Sequence, residues 1–299
     1  MTTVSAVRVY PVKSWAGVPV PDAAVEPWGL RDDRRWMVVD HAGEVVTARE
    51  RHALLSLRAV PDDEGGLTLE ADGTPSLHVD APTGPADVPV RISRLDRAAA
   101  AGDAADRWLS DVLGEPLRLV WLDDPRRRPV SPSHGGQDGD PLSLADAGPL
   151  LLTSTASLRQ LDVWVRDEAE RRGEPRPAPL DMLRFRPSVV VDGDLEPFAE
   201  DRWQRVRLGE VTYRFGEHCD RCVMTTLDPS TTLGGKEPLR TLARHRRWDG
   251  KTWFGVRLIP TSVGRLVVGD DVEVLEVGPA PSRVSAPAFS SAPSPPRPA

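Results

Sequence analysis

The stretch His218-Cys-Asp-Arg-Cys222-Val-Met-Thr-Thr-Leu-Asp-Pro229 sets both thiols of the chain beside an imidazole, a guanidinium and a carboxylate. Three chemistries use such residues. Zinc would take His218, Cys219 and Cys222, but structural zinc is usually held by four ligands from paired motifs, and the sequence has no second cysteine pair. A redox dithiol would use the Cys-x-x-Cys spacing, yet the thiols directly follow a strand-like run with no helical pattern after them, unlike the βαβ setting of that motif. One thiolate can instead be the soft ligand of a metal while Thr225, Thr226, Asp228 and Pro229 shape the loop. The plain alternative is two small buried residues packed in a turn. Asp228 before Pro229 likewise either closes an Asx-type turn or accepts a bond near the metal and relays a proton.

The rest of the composition narrows the setting. With 299 residues, 39% hydrophobic and 28% charged, the chain is long enough for one large domain or two ordinary ones. Basic residues number 38 against 45 acidic, a formal charge of -7, which argues against a nucleic-acid-coating or polybasic membrane-binding protein. A bridge between Cys219 and Cys222 would close too small a loop to staple a secreted scaffold, so a reducing cytoplasm is expected. No window reaches the roughly 18 apolar residues of a membrane helix, and MTTVSAVRVYPVKSW lacks the basic and apolar regions of a cleaved signal. Three lysines (Lys13, Lys236, Lys251) stand against 35 arginines, a bias that discounts any single arginine as a functional marker.

Elements to position these residues are legible in the periodicity. From residue 3 to about 97, Val-rich alternating runs cut by Asp, Gly and Pro predict antiparallel hairpins in a barrel or sandwich. Residues 103–113 change period: Asp103 caps a helix, Trp108 pairs with Val112, Leu109 with Leu113, and Gly114 stops it. Residues 123–148, rich in Pro, Gly, Ser and charge, predict a long loop that borders a site. PLLLTSTASLRQLDVWVRDEAERRG then reads as strand, hydroxyl loop and helix, with Leu158, Leu161 and Val165 on one stripe. Further strands are expected in FRPSVVVDG, WQRVRLGEVTYRF and GRLVVGDDVEVLEV, the last with a Gly-Asp-Asp turn between two runs. Seven Pro, five Ser and five Ala among residues 279–299 predict a disordered tail.

Taken together and in this order over residues 4–277, VYPVKSWAGVPV, GLRDDRRWMVVD, EVVTARE, PLLLTSTASL, RFRPSVVV, FAEDRW and CDRCVMTTLDP resemble the MOSC-domain family with its N-terminal β-barrel companion, including the mitochondrial amidoxime-reducing components and their bacterial counterparts. The resemblance implies a molybdenum cofactor, a pyranopterin dithiolene on molybdenum completed by a protein cysteine. By motif that ligand is Cys222, with Arg221 favouring its thiolate, and Cys219 is a packed thiol and no ligand. Lys13 of YPVKS, Arg34 of DDRRW and Arg186 of RFRPS match cofactor-contacting positions, and Ser14 donates beside Lys13. Ser154, Thr155 and Ser157, where a strand feeds a helix, are offered to phosphate or pterin edges, with simple N-capping as the alternative.

Strand alternation lets only one of Arg34 and Arg35 face such a pocket, and puts Arg184 on the Arg186 side with Phe185 turned away. Two departures from the family stand out: Ser188 where relatives carry Asn, and Arg257 of WFGVR where they carry Asn or Tyr. Among the histidines, His41, His52, His78, His134 and His245 read as exposed, and His218 as a donor near the ligand.

The expected molecule is thus a strand-rich α+β protein: an N-terminal β-barrel-like domain over residues 1–122, a connection over 123–148 and a MOSC domain over 149–278, with the cofactor between them. Its expected work is reduction of small N-hydroxylated or N-oxide-type substrates at molybdenum. Two cysteines leave none for an internal iron-sulfur cluster, so electrons would come from a separate ferredoxin-, flavin- or cytochrome-type donor. No nucleic-acid or membrane partner is expected. The rival readings are a sulfur carrier with a Cys222 persulfide, and a non-enzymatic scaffold or a pyridoxal-phosphate module using Lys13.

Overall fold

Alternating valines build the strands that carry the chemistry-bearing residues. The structure, a computed structural model, describes residues 1–281, so the expected tail falls almost wholly outside the described residues. The largest sheet has nine strands. Across it lie Val272–Val277, Trp203–Leu208, Val211–Asp220, Lys251–Pro260, Leu150–Ser154, Val189–Asp192, Thr3–Val9 and Val18–Val20, with Arg247–Trp248 added on Lys251–Pro260. All its pairs are antiparallel except Leu150–Ser154 with Val189–Asp192, which are joined through a helix and run parallel.

That helix, Thr155–Arg171, follows another, so the three helices are numbered in chain order: α1 (Asp103–Leu113), α2 (Thr155–Arg171) and α3 (Leu239–His245). In α2 the stripe expected from the sequence packs inward, with Leu161 and Val165 buried and Leu158 partly so. Helix α1 has the expected bounds, and Gly114 ends it in the left-handed region at φ 74°. Its cap differs from expectation. Gly102 takes the N-cap position with no side-chain bond, and Asp103 is the first helical residue, where its charge favours the helix dipole. Asp106 instead ties the helix to the next strand by accepting from the Leu119 amide at 2.9 Å.

The hairpins expected before residue 97 form in part. Arg58–Pro61, Leu67–Ala71 and Thr74–Val79 make a meander, and Trp36–Val39, Arg118–Trp121, Leu95–Ala100 and Val88–Ile92 make a four-stranded sheet. Both close over a core containing Trp15, Trp36, Trp108 and Leu119. The first strands form local pairs, Thr3–Val9 with Val18–Val20 and Asp22–Glu26 with Gly29–Leu30, and also take distant partners. Thr3–Val9 pairs with Val189–Asp192, and Asp22–Glu26 pairs with Gly264–Val267. Their apolar faces explain this, because Val4, Val7, Val9 and Val25 share one core with Val189, Val191, Leu258 and Leu266. The Gly-Asp-Asp turn is likewise a corner between sheets: Gly264–Val267 stays with Asp22–Glu26, while Val272–Val277 joins Trp203–Leu208.

The strand-rich α+β class read from the sequence is therefore the one formed, with a curled N-terminal sheet and a large mixed sheet. No helix among the described residues is long and apolar enough to cross a membrane. Leu152, fully buried in Leu150–Ser154 between a parallel and an antiparallel neighbour, sits at the centre of this arrangement. Leu152→Ala should cost about 2–5 kcal/mol of stability, read from the midpoint of urea unfolding.

Candidate functional site

Five segments from distant parts of the chain, joined by the single residues Arg49, Leu151 and Arg257, converge on one cleft, which encloses about 860 Å³ including its mouth. They are the turn at Lys13 and Ser14, the turn at Arg34, residues 145–148, the short helical turn Met182–Phe185 with Arg186 after it, and the end of strand Val211–Asp220 running into the turn Val223–Thr226. Three lining residues are non-glycines in the left-handed region: Ser14 (φ 71°), Arg34 (φ 53°) and Arg186 (φ 53°). Each such conformation costs on the order of 1 kcal/mol or more, so surrounding contacts must hold it. Although the chain is acidic overall, the cleft is lined by seven cationic side chains and two carboxylates, Asp146 and Asp220.

Tyr10 is the buried post of this arrangement. The guanidinium carbon of Arg34 lies 4.5 Å from its ring centroid and that of Arg186 lies 4.4 Å away. Asp33, also buried, accepts from the Tyr10 amide at 2.8 Å and pairs with Arg34. Burial works against the Arg34 charge, but Asp33 and Tyr10 more than offset it and its pKa is raised. Arg186 has no carboxylate so close, and burial brings its pKa down to about 10. One of its terminal nitrogens, Nη2, is buried without a hydrogen-bond partner.

Lys13 donates to the Leu144 carbonyl at 2.9 Å and pairs with Asp146, which Arg49 approaches at 3.7 Å. Burial lowers the Lys13 pKa, with Asp146 opposing, while Lys13 holds the Asp146 carboxyl far below its usual range. Gly148 packs against Arg257, where a Cβ would stand 2.9 Å from the arginine Cβ. Arg257 reaches across to Glu217 and to Asp220 at 3.1 Å. The long loop expected to border a site does so through residues 145–148.

The two thiols are placed differently. Cys219 is buried near the end of its strand, whereas Cys222 is exposed at the start of the turn Val223–Thr226 and lines the cleft. Arg221 between them donates from Nε to the Phe254 carbonyl at 2.8 Å and from Nη1 to the Phe185 carbonyl at 3.0 Å, pinning this turn to its neighbours. Its Nη2 is buried and unpartnered as well, as is Arg184 Nε. The zinc reading fails on geometry: His218 Nε2 contacts the Asp201 carbonyl at 3.1 Å among Phe215, Trp248 and Trp253, and no metal-holding group of three His, Cys, Asp or Glu exists among the described residues.

Local backbone explains the arginine pairs. Arg34 enters the cleft from a turn, while Arg35 bonds the Leu122 and Asp123 carbonyls and lies over Trp28 and Trp121. Arg184 and Arg186 both line the cleft with Phe185 buried, but from a 3-10 turn rather than the strand expected for RFRPS. Ser188 is buried with its hydroxyl unpartnered, outside the cleft lining.

Four expected site residues lie outside the cleft. Ser154 caps α2 by accepting from the Ser157 amide at 3.1 Å, and the Ser154 and Ser157 hydroxyls are spent on the buried carboxyl of Glu200, at 3.1 and 2.6 Å. Thr155 donates to Asp192. Strand and helix meet as expected, but Ser154 and Ser157 point into the core and Thr155 is taken up by a partly exposed carboxylate. Asp228 forms the Asx-type turn, accepting from Ser230 and Thr231, and these bonds hold its pKa at about 2. It touches the cleft only through Arg184, at 2.7 Å. A carboxylate so firmly ionised is a poor proton relay at neutral pH.

His134 and His245 are also less exposed than expected, the first 2.8 Å from Glu217 and the second stacked on Trp164. Tyr10, Asp33, Arg49 and Asp146 are site residues that the sequence reading did not single out. Tyr10 lies within VYPVKS three places before Lys13, and Asp33 within GLRDDRRW next to Arg34.

Burial raises the Glu200 pKa above its ordinary 4.5, with the serine hydroxyls opposing. A raised carboxyl stabilises the fold fully below the unfolded value and loses that contribution as pH climbs through the folded one. Glu200→Gln should therefore match wild type near pH 4 and melt higher than wild type at pH 8, a difference read by thermal unfolding at the two pH values.

Residues 1–116 match the MOSC N-terminal beta barrel domain, and residues 139–273 match the MOSC domain. Human mitochondrial amidoxime-reducing component 1 is 32% identical over 293 residues, spanning 91% of this chain and 83% of its own. Rat mitochondrial amidoxime reducing component 2 is 32% identical over 291 residues, spanning 90% and 82%. The molybdenum cofactor sulfurase of Oryza sativa subsp. japonica is 31% identical over 264 residues, which is 84% of this chain and 31% of that protein. The chain belongs to the MOSC family, with the MOSC N-terminal beta barrel domain preceding the MOSC domain.

Proposed function

We propose that the cleft binds a molybdenum pyranopterin cofactor through Cys222 and that the protein reduces N-hydroxylated compounds with electrons from a separate donor. The observation that carries this reading is an exposed thiol in a cleft whose cations outnumber its carboxylates, with Arg186 Nη2 and Arg221 Nη2 buried and unpartnered. Buried donors without acceptors are costly, and an anionic ligand removes that cost. The residues present therefore fit the group.

In this reading Cys222 supplies the soft sulfur ligand, Lys13, Arg34 and Arg186 hold the anionic end, and Ser14 donates beside Lys13. Arg221 acts on its neighbours' backbone and fixes the turn that presents Cys222. When bound, the group supplies a two-electron centre that takes up oxygen from an N–OH function. The reduction consumes two electrons and two protons and releases water. Tyr10 and Asp33 keep Arg34 and Arg186 in place, so the site is arranged before ligand arrives.

A Cys222 persulfide carrier is the second reading, favoured by the exposure of that thiol. The pyridoxal reading is disfavoured because the Lys13 ammonium is already held by Leu144 and Asp146. Protein from a molybdenum-replete host should carry molybdenum by elemental analysis and reduce a benzamidoxime when given a chemical electron source. Cys222→Ala should lose the reduction, and Arg186→Ala should retain molybdenum at least about tenfold more weakly. Wild type free of molybdenum and pterin, with a persulfide found by mass spectrometry, would sink the first reading in favour of the second.

A further inference from the structure

Arg128 is 1% exposed and forms no ion pair among the described residues. Its guanidinium donates only to main-chain carbonyls: Ser93 at 3.0 Å, Ala145 at 2.8 Å and Ser143. It does not line the cleft. A cation buried without a carboxylate carries a desolvation cost that three neutral acceptors offset only in part, so its position needs a reason. Two of these carbonyls, those of Ser143 and Ala145, belong to the loop that forms one cleft wall. Lys13 takes the carbonyl between them, that of Leu144.

Peptide planarity carries the consequence across the loop. In a trans peptide the C=O and the following N–H point in opposite directions. The Ala145 carbonyl faces Arg128, so the Asp146 N–H faces away from it. Leu144 donates to the Arg34 carbonyl and Ala145 to the Ser143 hydroxyl, but the N–H groups of Asp146, Ala147 and Gly148 donate to no group among the described residues. All three residues line the cleft beside Lys13, Arg34 and Arg186, and Ala147 is 4% exposed. Consecutive free amides next to cations make an oxyanion-binding concavity.

We infer that Arg128 is a positioning residue for anion binding: by holding the Ser143 and Ala145 carbonyls it leaves the amides of residues 146–148 to receive a phosphate-type oxyanion in the cleft. The inference rests on the cleft being an anion site and is independent of the metal. Arg128 touches no ligand. It acts through the loop.

The test uses the full chain, labelled with nitrogen-15 and made in a host that produces no pterin, titrated with inorganic phosphate. The amide protons of Asp146, Ala147 and Gly148 should move downfield and saturate with the binding curve. Arg128→Met should weaken phosphate binding about tenfold or more and abolish those shifts, while Arg128→Lys restores part of both. A merely structural arginine would change the melting temperature and leave the amide response intact. Phosphate that fails to bind wild type, or that binds without moving these three amides, overturns the inference with no variant needed. Equal affinity and equal shifts in Arg128→Met overturn it as well. If wild type from a molybdenum-replete host carries no molybdenum while the pterin-free protein shows these shifts, the metal reading falls and this one stands.

Discussion

Crowding of like charge is the constraint on which the cleft depends. Two unit charges 4 Å apart repel by about 4 kcal/mol at the effective dielectric of a protein surface, and seven cations share this site with two carboxylates. The fold tolerates them because each is anchored by a different element. Arg34 is held by Asp33, Arg184 by Asp228, Arg257 by Glu217 and Asp220, and Lys13 by Asp146 and a carbonyl. Arg186 leans on the Tyr10 ring with a nitrogen left over. A positive field that is built in and incompletely neutralised is a standing invitation to an anion.

The strain at Ser14, Arg34 and Arg186 belongs to the same constraint. Non-glycine residues take the left-handed region only when their neighbours insist. Here the insistence comes from the Arg34 amide bonded to the Tyr10 carbonyl and the Arg186 amide bonded to Leu183. A relaxed backbone would carry these guanidinium groups elsewhere.

Much of this was legible in the residues, and the parts that were not have physical reasons. Helix α1 kept its bounds because apolar spacing and Gly114 agree on them. Lys13, Ser14, Arg34, Arg186, Arg221 and Cys222 meet in one cleft, as the motifs suggested. Ser154, Thr155 and Ser157 were misplaced because a hydroxyl at a helix start looks the same whether it meets a ligand or a buried acid, and Glu200 and Asp192 arrive from far along the chain. Alternation revealed the strands Thr3–Val9 and Gly264–Val267 but not their partners, since period 2 specifies a face and carries no address. Arg128 was hidden for a similar reason: its partners are carbonyls, which every residue possesses.

The pairing of Thr3–Val9 with Val189–Asp192 has a consequence in time. A ribosome delivers the first strand long before the strand that completes its sheet, and Asp22–Glu26 waits longer still for Gly264–Val267. Through most of synthesis the opening valines have only the short strand Val18–Val20 beside them, and Lys13, only four residues past the first strand, has no neighbouring carbonyl at 144. Closure of such distant contacts makes folding slow and leaves apolar edges open meanwhile. The nascent chain therefore has no cleft to fill until nearly all of it has been made, and any cofactor it takes is inserted into a finished protein.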